Sequence, residues 1–321
     1  MSSLLLSLLL PVVLAHLPVA AHGQDDEPPL PVFSEEVSVQ WISVPTVLGS
    51  HWPAEAPPEA GLFQLEVDGD AVRIEAFDAW DAPVGVVFLQ DLSGSMAIGG
   101  KLDLGRRILE ELSALVGDED AMAVVTFAGG RVDLQVPFTA NGDARRGAAE
   151  SWSGYGTTAV RDALAALPEI ARAADRPRRA VVLVTDGIDN ASVVSVDEVR
   201  ALLAGQGLPL YVVDVDADAV ERPSLEQGRD EGLTLGDLAE ASGGRRIQVT
   251  SPVQVAAAAR VIARDLRRQM VLSFTADSAG VSTLRTIEVS LRGETSGLVH
   301  RSRYYGPPPG HTLSPIRKEK P

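Results

Sequence analysis

The stretch Val84-Gly85-Val86-Val87-Phe88-Leu89-Gln90-Asp91-Leu92-Ser93-Gly94-Ser95-Met96 decides the fold. Val84 to Leu89 is a continuous apolar run. A strand with one wet face would alternate, so an unbroken run predicts a strand buried on both faces of a parallel sheet. The run ends in an acid and two hydroxyls at alternate positions, Asp91, Ser93 and Ser95. Small oxygen donors in a tight loop suit a hard divalent cation such as Mg²⁺. The same residues also suit a helix N-cap, so the loop alone leaves its chemistry open.

Strands and helices alternate downstream of this stretch. Leu102 to Val116 reads as a helix with Leu104, Ile108, Leu112 and Leu115 on one face. Ala121 to Phe127 is the next strand, with Val132, Leu134 and Val136 as a short partner. Thr158 to Ala174 reads as a helix with a kink expected at Pro168. Ala180 to Val184 is another buried strand, Val194 to Leu203 a helix, and Leu208 to Val213 a strand. Leu235 to Ala241 is a short helix stopped by Gly243-Gly244, and Val253 to Arg268 a last helix. The alternation predicts an α/β domain over residues 83–266, a doubly wound, mostly parallel sheet with helices on both faces. Ligands bind outside the carboxyl ends of the strands in such sheets.

β segments flank this domain on both sides. Val37, Val39 and Trp41 alternate with polar residues. Phe63, Leu65 and Val67 do the same, and Asp68-Gly69-Asp70 turns the chain toward Val72, Ile74 and Ala76, a hairpin. On the far side, Met270 to Thr275, Thr286 to Leu291 and Leu298 to Tyr305 read as three strands. Neither flank has enough strands for a core of its own, so the two are expected to pair, with the α/β domain inserted between them. Residues 24–82 are thus a linker and small β region, residues 267–306 a C-terminal β segment, and residues 307–321 a proline-rich, disordered tail.

Residues 1–23 have the pattern of a signal peptide. Leu4 to Leu14 is nearly all apolar, too short for a span of roughly 20 residues, and small residues follow around Ala20-Ala21. No Lys or Arg precedes the run. The expected location is therefore secreted, periplasmic or cell-envelope, with no transmembrane segment after cleavage. The net charge of −16 opposes binding to nucleic acid and anionic lipid. The chain has no cysteine, which excludes disulfides, thiolate metal sites and cysteine nucleophiles.

Two later motifs sharpen the loop after the first buried strand. Gly156-Thr157-Thr158-Ala159-Val160-Arg161-Asp162-Ala163-Leu164 puts a threonine at a helix start, and Thr185-Asp186-Gly187 puts a carboxylate at the end of the next buried strand. All three fall on one edge of the expected sheet and offer three hydroxyls and two carboxylates around one point.

The order Asp91-x-Ser93-x-Ser95, Thr158, Asp186 resembles the metal-ion-dependent adhesion site of von Willebrand factor A domains. A bacterial exported subfamily of such proteins also carries segments similar to Phe63 to Gly69, Leu238 to Gly244 and Leu266 to Leu272. The resemblance implies that Ser93, Ser95 and Thr158 contact Mg²⁺ (or Mn²⁺ or Ca²⁺) directly or through water. Asp91 and Asp186 would orient the hydroxyls and hold coordinated waters. Thr157 stands where a second glycine is common, so Thr157 or Thr158 supplies the hydroxyl, and the spacing to Ala163-Leu164 favours Thr158. A cation held mostly by neutral hydroxyls stays under-neutralised and attracts an Asp or Glu carboxylate from a partner protein.

The expected function is therefore metal-dependent protein binding, not catalysis. Hydrolysis at the metal would need a placed base. Asp189 is the one acid beside Asp186, and Asp189-Asn190 reads as a solvated turn. Asp214, Asp216 and Asp218 lack the glycine and glutamate of a calcium loop and read as a charged lip. A structural scaffold whose metal only stabilises loops is the alternative function, and a metal-assisted hydrolase a third.

Overall fold

A computed structural model of the chain describes residues 39–49, 52, 58–80, 82–187, 189–215, 234–277, 281–292, 297–307 and 309. The expected signal peptide, the 24–31 linker, Asp216, Asp218 and most of the tail lie outside these residues.

The chain forms β1 (Val39–Leu48), β2 (Phe63–Val67), β3 (Asp70–Val72), β4 (Ala76–Asp78) and β5 (Val84–Asp91). Then come α1 (Lys101–Leu115), β6 (Ala121–Ala128), β7 (Arg131–Thr139), α2 (Gly142–Glu150), α3 (Val160–Arg172) and β8 (Arg178–Thr185). Next are α4 (Val196–Gln206), β9 (Leu210–Asp214), α5 (Leu235–Ser242), β10 (Arg245–Gln248) and α6 (Pro252–Arg267). The chain closes with β11 (Gln269–Asp277), β12 (Thr283–Leu291), β13 (Leu298–His300) and β14 (Arg303–Gly306).

The central sheet has the order β10-β9-β8-β5-β6-β7. β5 pairs in parallel with both β6 and β8, and only the edge strand β7 runs antiparallel. The apolar run in β5 explains itself here: every residue of the strand is buried. Val86 and Phe88 face one core with Leu104, Ile108 and Leu112 of α1 and Ala259 and Ile262 of α6. Val87 and Leu89 face the other, with Val160, Leu164 and Leu167 of α3, Val199 and Leu203 of α4, and Leu238 of α5. Burying each of the valine, leucine, isoleucine and phenylalanine side chains among these contributes about 1.5–3 kcal/mol.

From β5 the chain moves to β6 on one side, then crosses to β8 on the other. The strand order therefore reverses between β5 and β8, and a crevice opens at their carboxyl ends. Asp91 is the last residue of β5, and Asp186 follows the last residue of β8.

The flanks pair with each other, β1 with β11 and β2 with β12, both antiparallel. Two sheets result, β13-β1-β11-β4 and β14-β12-β2-β3. Ile42, Val44, Leu65, Leu272, Phe274, Ile287 and Tyr304 form their shared core. The β2–β3 turn has positive φ at Asp68 and Gly69, the geometry that suits the twist of a hairpin.

Several elements differ from the sequence reading. β1 continues to Leu48, and the alternating residues that marked it, Val39 and Trp41, are exposed while Ile42 and Val44 point inward. The alternation through Val72, Ile74 and Ala76 splits between β3 and β4, which belong to different sheets. Leu298 to Tyr305 likewise breaks into β13 and β14 around Arg301. Arg301 is buried and donates to the carbonyls of Ser43 and Arg303, so burial, not alternation, sets that corner. Helix α2 and edge strand β10 went unread. Helix α2 has few large apolar residues, and β10 is Arg245-Arg246-Ile247-Gln248, whose arginines pair with Asp265 and Asp214.

Candidate metal centre

Asp91 is fully buried at the end of β5. One of its oxygens, Oδ1, accepts the Ser93 amide at 2.8 Å, which folds the loop back over the strand end. The other, Oδ2, accepts the Thr185 hydroxyl at 2.7 Å from the neighbouring strand β8. Burial is the largest influence on this carboxyl and pushes its pKa up to about 6. The Thr185 and Ser93 hydrogen bonds oppose that rise, and the nearby Asp186 charge adds to it.

Ser93 is buried and its hydroxyl lies 3.2 Å from that of Ser95. Ser95 sits in a short 3-10 turn, Gly94–Ala97, anchored by the buried Met96. The loop carrying Thr158 is strapped to this one by two backbone bonds, Gly94 N–H to Gly156 O at 3.1 Å and Tyr155 N–H to Leu92 O at 2.8 Å. Thr158 is buried and Thr157 exposed.

Asn190 holds Thr158 on both sides. Its Oδ1 accepts the Thr158 amide at 2.9 Å, and its own amide donates to the Thr158 carbonyl at 3.0 Å. Asp189 is not a solvated turn residue. Its side chain is 3% exposed and accepts from the Ser192 hydroxyl at 2.7 Å and from the Arg161 amide at 3.1 Å. Ala159, the N-cap of α3, offers no side-chain bond, so Asp189 caps that helix from another loop. The reading as a solvated turn failed because the capping partner is 28 residues away in sequence.

Asp186 is the odd member of the set. Its side chain is 0% exposed, and Oδ2 accepts from the Lys101 ammonium at 2.9 Å. Its Oδ1 is buried with no hydrogen-bond partner. Sequence reasoning missed Lys101, Thr185 as a positioning hydroxyl, and Asn190. Of these, only Thr185 carries a sequence signal that could have found it, its place at the end of a buried strand beside Asp186.

A buried carboxylate oxygen without a donor is costly unless a cation or proton meets it. Two buried carboxylates and a pair of touching hydroxyls make a hard-oxygen donor set of the kind a Mg²⁺-sized ion takes. Among the described residues no group of three or more His, Cys, Asp or Glu gathers as a metal site, so this set has two carboxylates and depends on its hydroxyls for the remaining donors. The residues present therefore fit a divalent cation.

The model for the von Willebrand factor type A domain matches residues 86–188, a span that includes all five candidate residues. A solved structure described as von Willebrand factor type A from Catenulispora acidiphila aligns with a TM-score of 0.51 at 14% identity, over 78% of this chain and 74% of that one. An aerotolerance-related membrane protein from Bacteroides fragilis aligns at 0.42 and 21% identity, over 57% of this chain and 98% of the other. The conserved hypothetical protein BatB from Bacteroides thetaiotaomicron aligns at 0.44 and 20% identity, over 57% and 97%. The first of these carries the fold assignment, a mostly parallel α/β sheet of the von Willebrand factor A type with flanking strands. No curated protein sequence matches the chain.

Proposed function

We propose that this chain is an exported protein-binding module in which a divalent cation at a metal-ion-dependent adhesion site takes a carboxylate from a partner. The observation that carries the reading is the buried, partnerless Oδ1 of Asp186, whose charge acts on the buried Asp91 at the end of the next central strand. Asp91, Ser93, Ser95, Thr158 and Asp186 would hold the ion. Mg²⁺ is the first choice, with Mn²⁺ and Ca²⁺ as alternatives, because all the donors are hard oxygens. When bound, the ion supplies an electrophilic point for an Asp or Glu carboxylate of a protein or peptide. The burial of Thr158 and exposure of Thr157 favour Thr158 as the threonine donor.

The site favours binding over turnover. Asp189, the acid nearest the centre in sequence, spends both oxygens on Ser192 and the α3 amide end. A metal-assisted hydrolase would need that group free as a base. Export is supported by the apolar N-terminal run, and no helix among the described residues is long and apolar enough to cross a membrane.

Thermal melting in EDTA, then with Mg²⁺ or Mn²⁺, tests the reading. An ion that binds only the folded chain raises the melting temperature by mass action. The wild type should shift, and Asp91→Ala and Asp186→Ala should not. No shift at metal concentrations well above cellular levels would remove the metal and give the scaffold reading first place. A shift with no competition by acidic peptides against a captured partner would keep the metal but favour the scaffold.

A further inference from the structure

We infer that Lys101 is a tethered cation that neutralises Asp186 through Oδ2 in the metal-free protein and, as a like charge on the same carboxylate, must leave for a divalent ion to settle at the open Oδ1. The inference rests on the metal-centre reading above and adds a residue that reading does not use. Its first support is the contact: Lys101 Nζ lies 2.9 Å from Asp186 Oδ2, against a side chain with no exposure to water. A carboxylate buried to that degree needs a counter-charge in the absence of metal.

The second support is the choice of residue. Of 28 basic side chains, 25 are arginines; the lysines are Lys101, Lys318 and Lys320. Every lysine but Lys101 thus lies in the last four residues, and among the described residues arginine meets the other buried carboxylates that are ion-paired, such as Asp214 with Arg246. Arginine grips a carboxylate through a rigid fork and holds its charge permanently. Lysine is a compact point charge on a flexible four-carbon stem. A cation that must yield its place is better made from lysine.

The third is location. Lys101 is the first residue of α1, where a positive charge opposes the helix dipole. The helix gains nothing from a lysine there, and its N-cap, Gly100, provides no side-chain bond. Gly99 and Gly100 precede it, both at positive φ with open space around their α-carbons, and the Lys101 side chain is 17% exposed. The ammonium therefore has a way out to solvent and a pliant backbone beside it. Its displacement couples the metal to the start of α1: metal-free, Lys101 ties α1 to the end of β8; metal-bound, that tie is released.

Such competition lowers apparent metal affinity by the fraction of time the ammonium is away. Metal-stripped wild type and Lys101→Met should be compared by isothermal titration with Mn²⁺ or Mg²⁺, and by melting in EDTA. The expected result is that Lys101→Met melts lower in EDTA yet binds the ion about tenfold more tightly, so its metal-induced rise is larger. Wild type that binds, beside a folded Lys101→Met that binds equally or more weakly, overturns the inference and leaves the metal reading standing. Neither protein binding removes both.

A second measurement keeps the test open if Lys101→Met fails to fold. Amine acylation of the wild type, read by mass spectrometry with Lys318 and Lys320 as internal references, should label Lys101 faster when Mg²⁺ is added. Unchanged or slower labelling at a metal concentration that shifts the melting temperature would show that Lys101 stays on Asp186, and the inference falls.

Discussion

Thr185 and Asp91 join the ends of the two central strands through one hydroxyl, Oγ1 to Oδ2 at 2.7 Å. The same Thr185 oxygen accepts the Gly187 amide at 3.1 Å, so it also shapes the turn that presents Asp186. Thr185→Val keeps the volume and removes both bonds. Leaving a buried carboxylate short of a donor costs about 1.5–3 kcal/mol. The expected outcome in EDTA is a lower urea midpoint at unchanged slope, with metal affinity weakened as well. Thr185→Ser should recover most of both. Full stability in Thr185→Val would mean the hydroxyl is not what satisfies Asp91.

The buried Asp91 carboxyl, with its pKa near 6, gives the metal-free protein a signed pH response. In the unfolded chain the group titrates near 3.9. Between those values the folded chain keeps a proton that the unfolded chain has lost. Its stabilising contribution is therefore fully present below about pH 4 and lost as pH rises through about 6. Asp91→Asn stays neutral throughout. In EDTA the variant should gain on the wild type by about 2–3 kcal/mol from pH 4 to 7, seen in paired urea titrations. Metal binding needs the ionised form, so wild-type affinity should rise over the same interval. A stability difference that stays flat with pH would show that Asp91 ionises alike in both states.

Much of this arrangement was readable in the sequence, for a physical reason. Val84 to Leu89 had to lie in a two-sided core, and that alone placed Asp91 at a carboxyl-end crevice. The same logic put the threonines at the start of α3 and Asp186 at the end of β8 on that edge, while the choice of Thr158 over Thr157 rested on the family resemblance. What could not be read depends on contacts between distant segments. Lys101 meets Asp186 across 85 positions, and Asn190 clamps Thr158 across 32. Helix α2 was hidden for a different reason: Asn141 caps it through the Asp143 and Ala144 amides, but it lacks a strong apolar stripe. In the flanks, period-two patterns showed strands yet not which face turned inward, since Val39 and Trp41 are apolar and exposed.

Asp189 separates a capping role from a catalytic one. Its carboxylate takes the Arg161 amide in the first turn of α3, and it also holds Ser192. Losing a helix cap costs about 0.5–2 kcal/mol. Asp189→Ala should lower the melting temperature in EDTA and leave a metal-induced shift in place. A general base would behave otherwise: its loss would spare stability and abolish turnover. A variant as stable as wild type would therefore revive the hydrolase reading.

Gly154 tests whether the two site loops must touch. A β-carbon placed there would lie 2.7 Å from the Ala97 β-carbon, 2.9 Å from the Ala97 amide nitrogen and 2.9 Å from the Ser93 carbonyl. Two of these neighbours are backbone atoms, so no side-chain rotation relieves the clash. Gly154→Ala must therefore push the Thr158 loop away from the Ser93–Ser95 loop, breaking the Gly94–Gly156 and Tyr155–Leu92 straps. Overpacking of this kind costs about 1–3 kcal/mol, well below the whole stability of a domain this size. The sheet and both cores lie beneath the loops and should persist, with circular dichroism unchanged. If the ion is held between the two loops as proposed, metal affinity should fall much further than stability, because the Thr158 loop would be moved away from Ser93 and Ser95. A metal-induced melting shift equal to that of wild type would mean the ion is held by one loop alone.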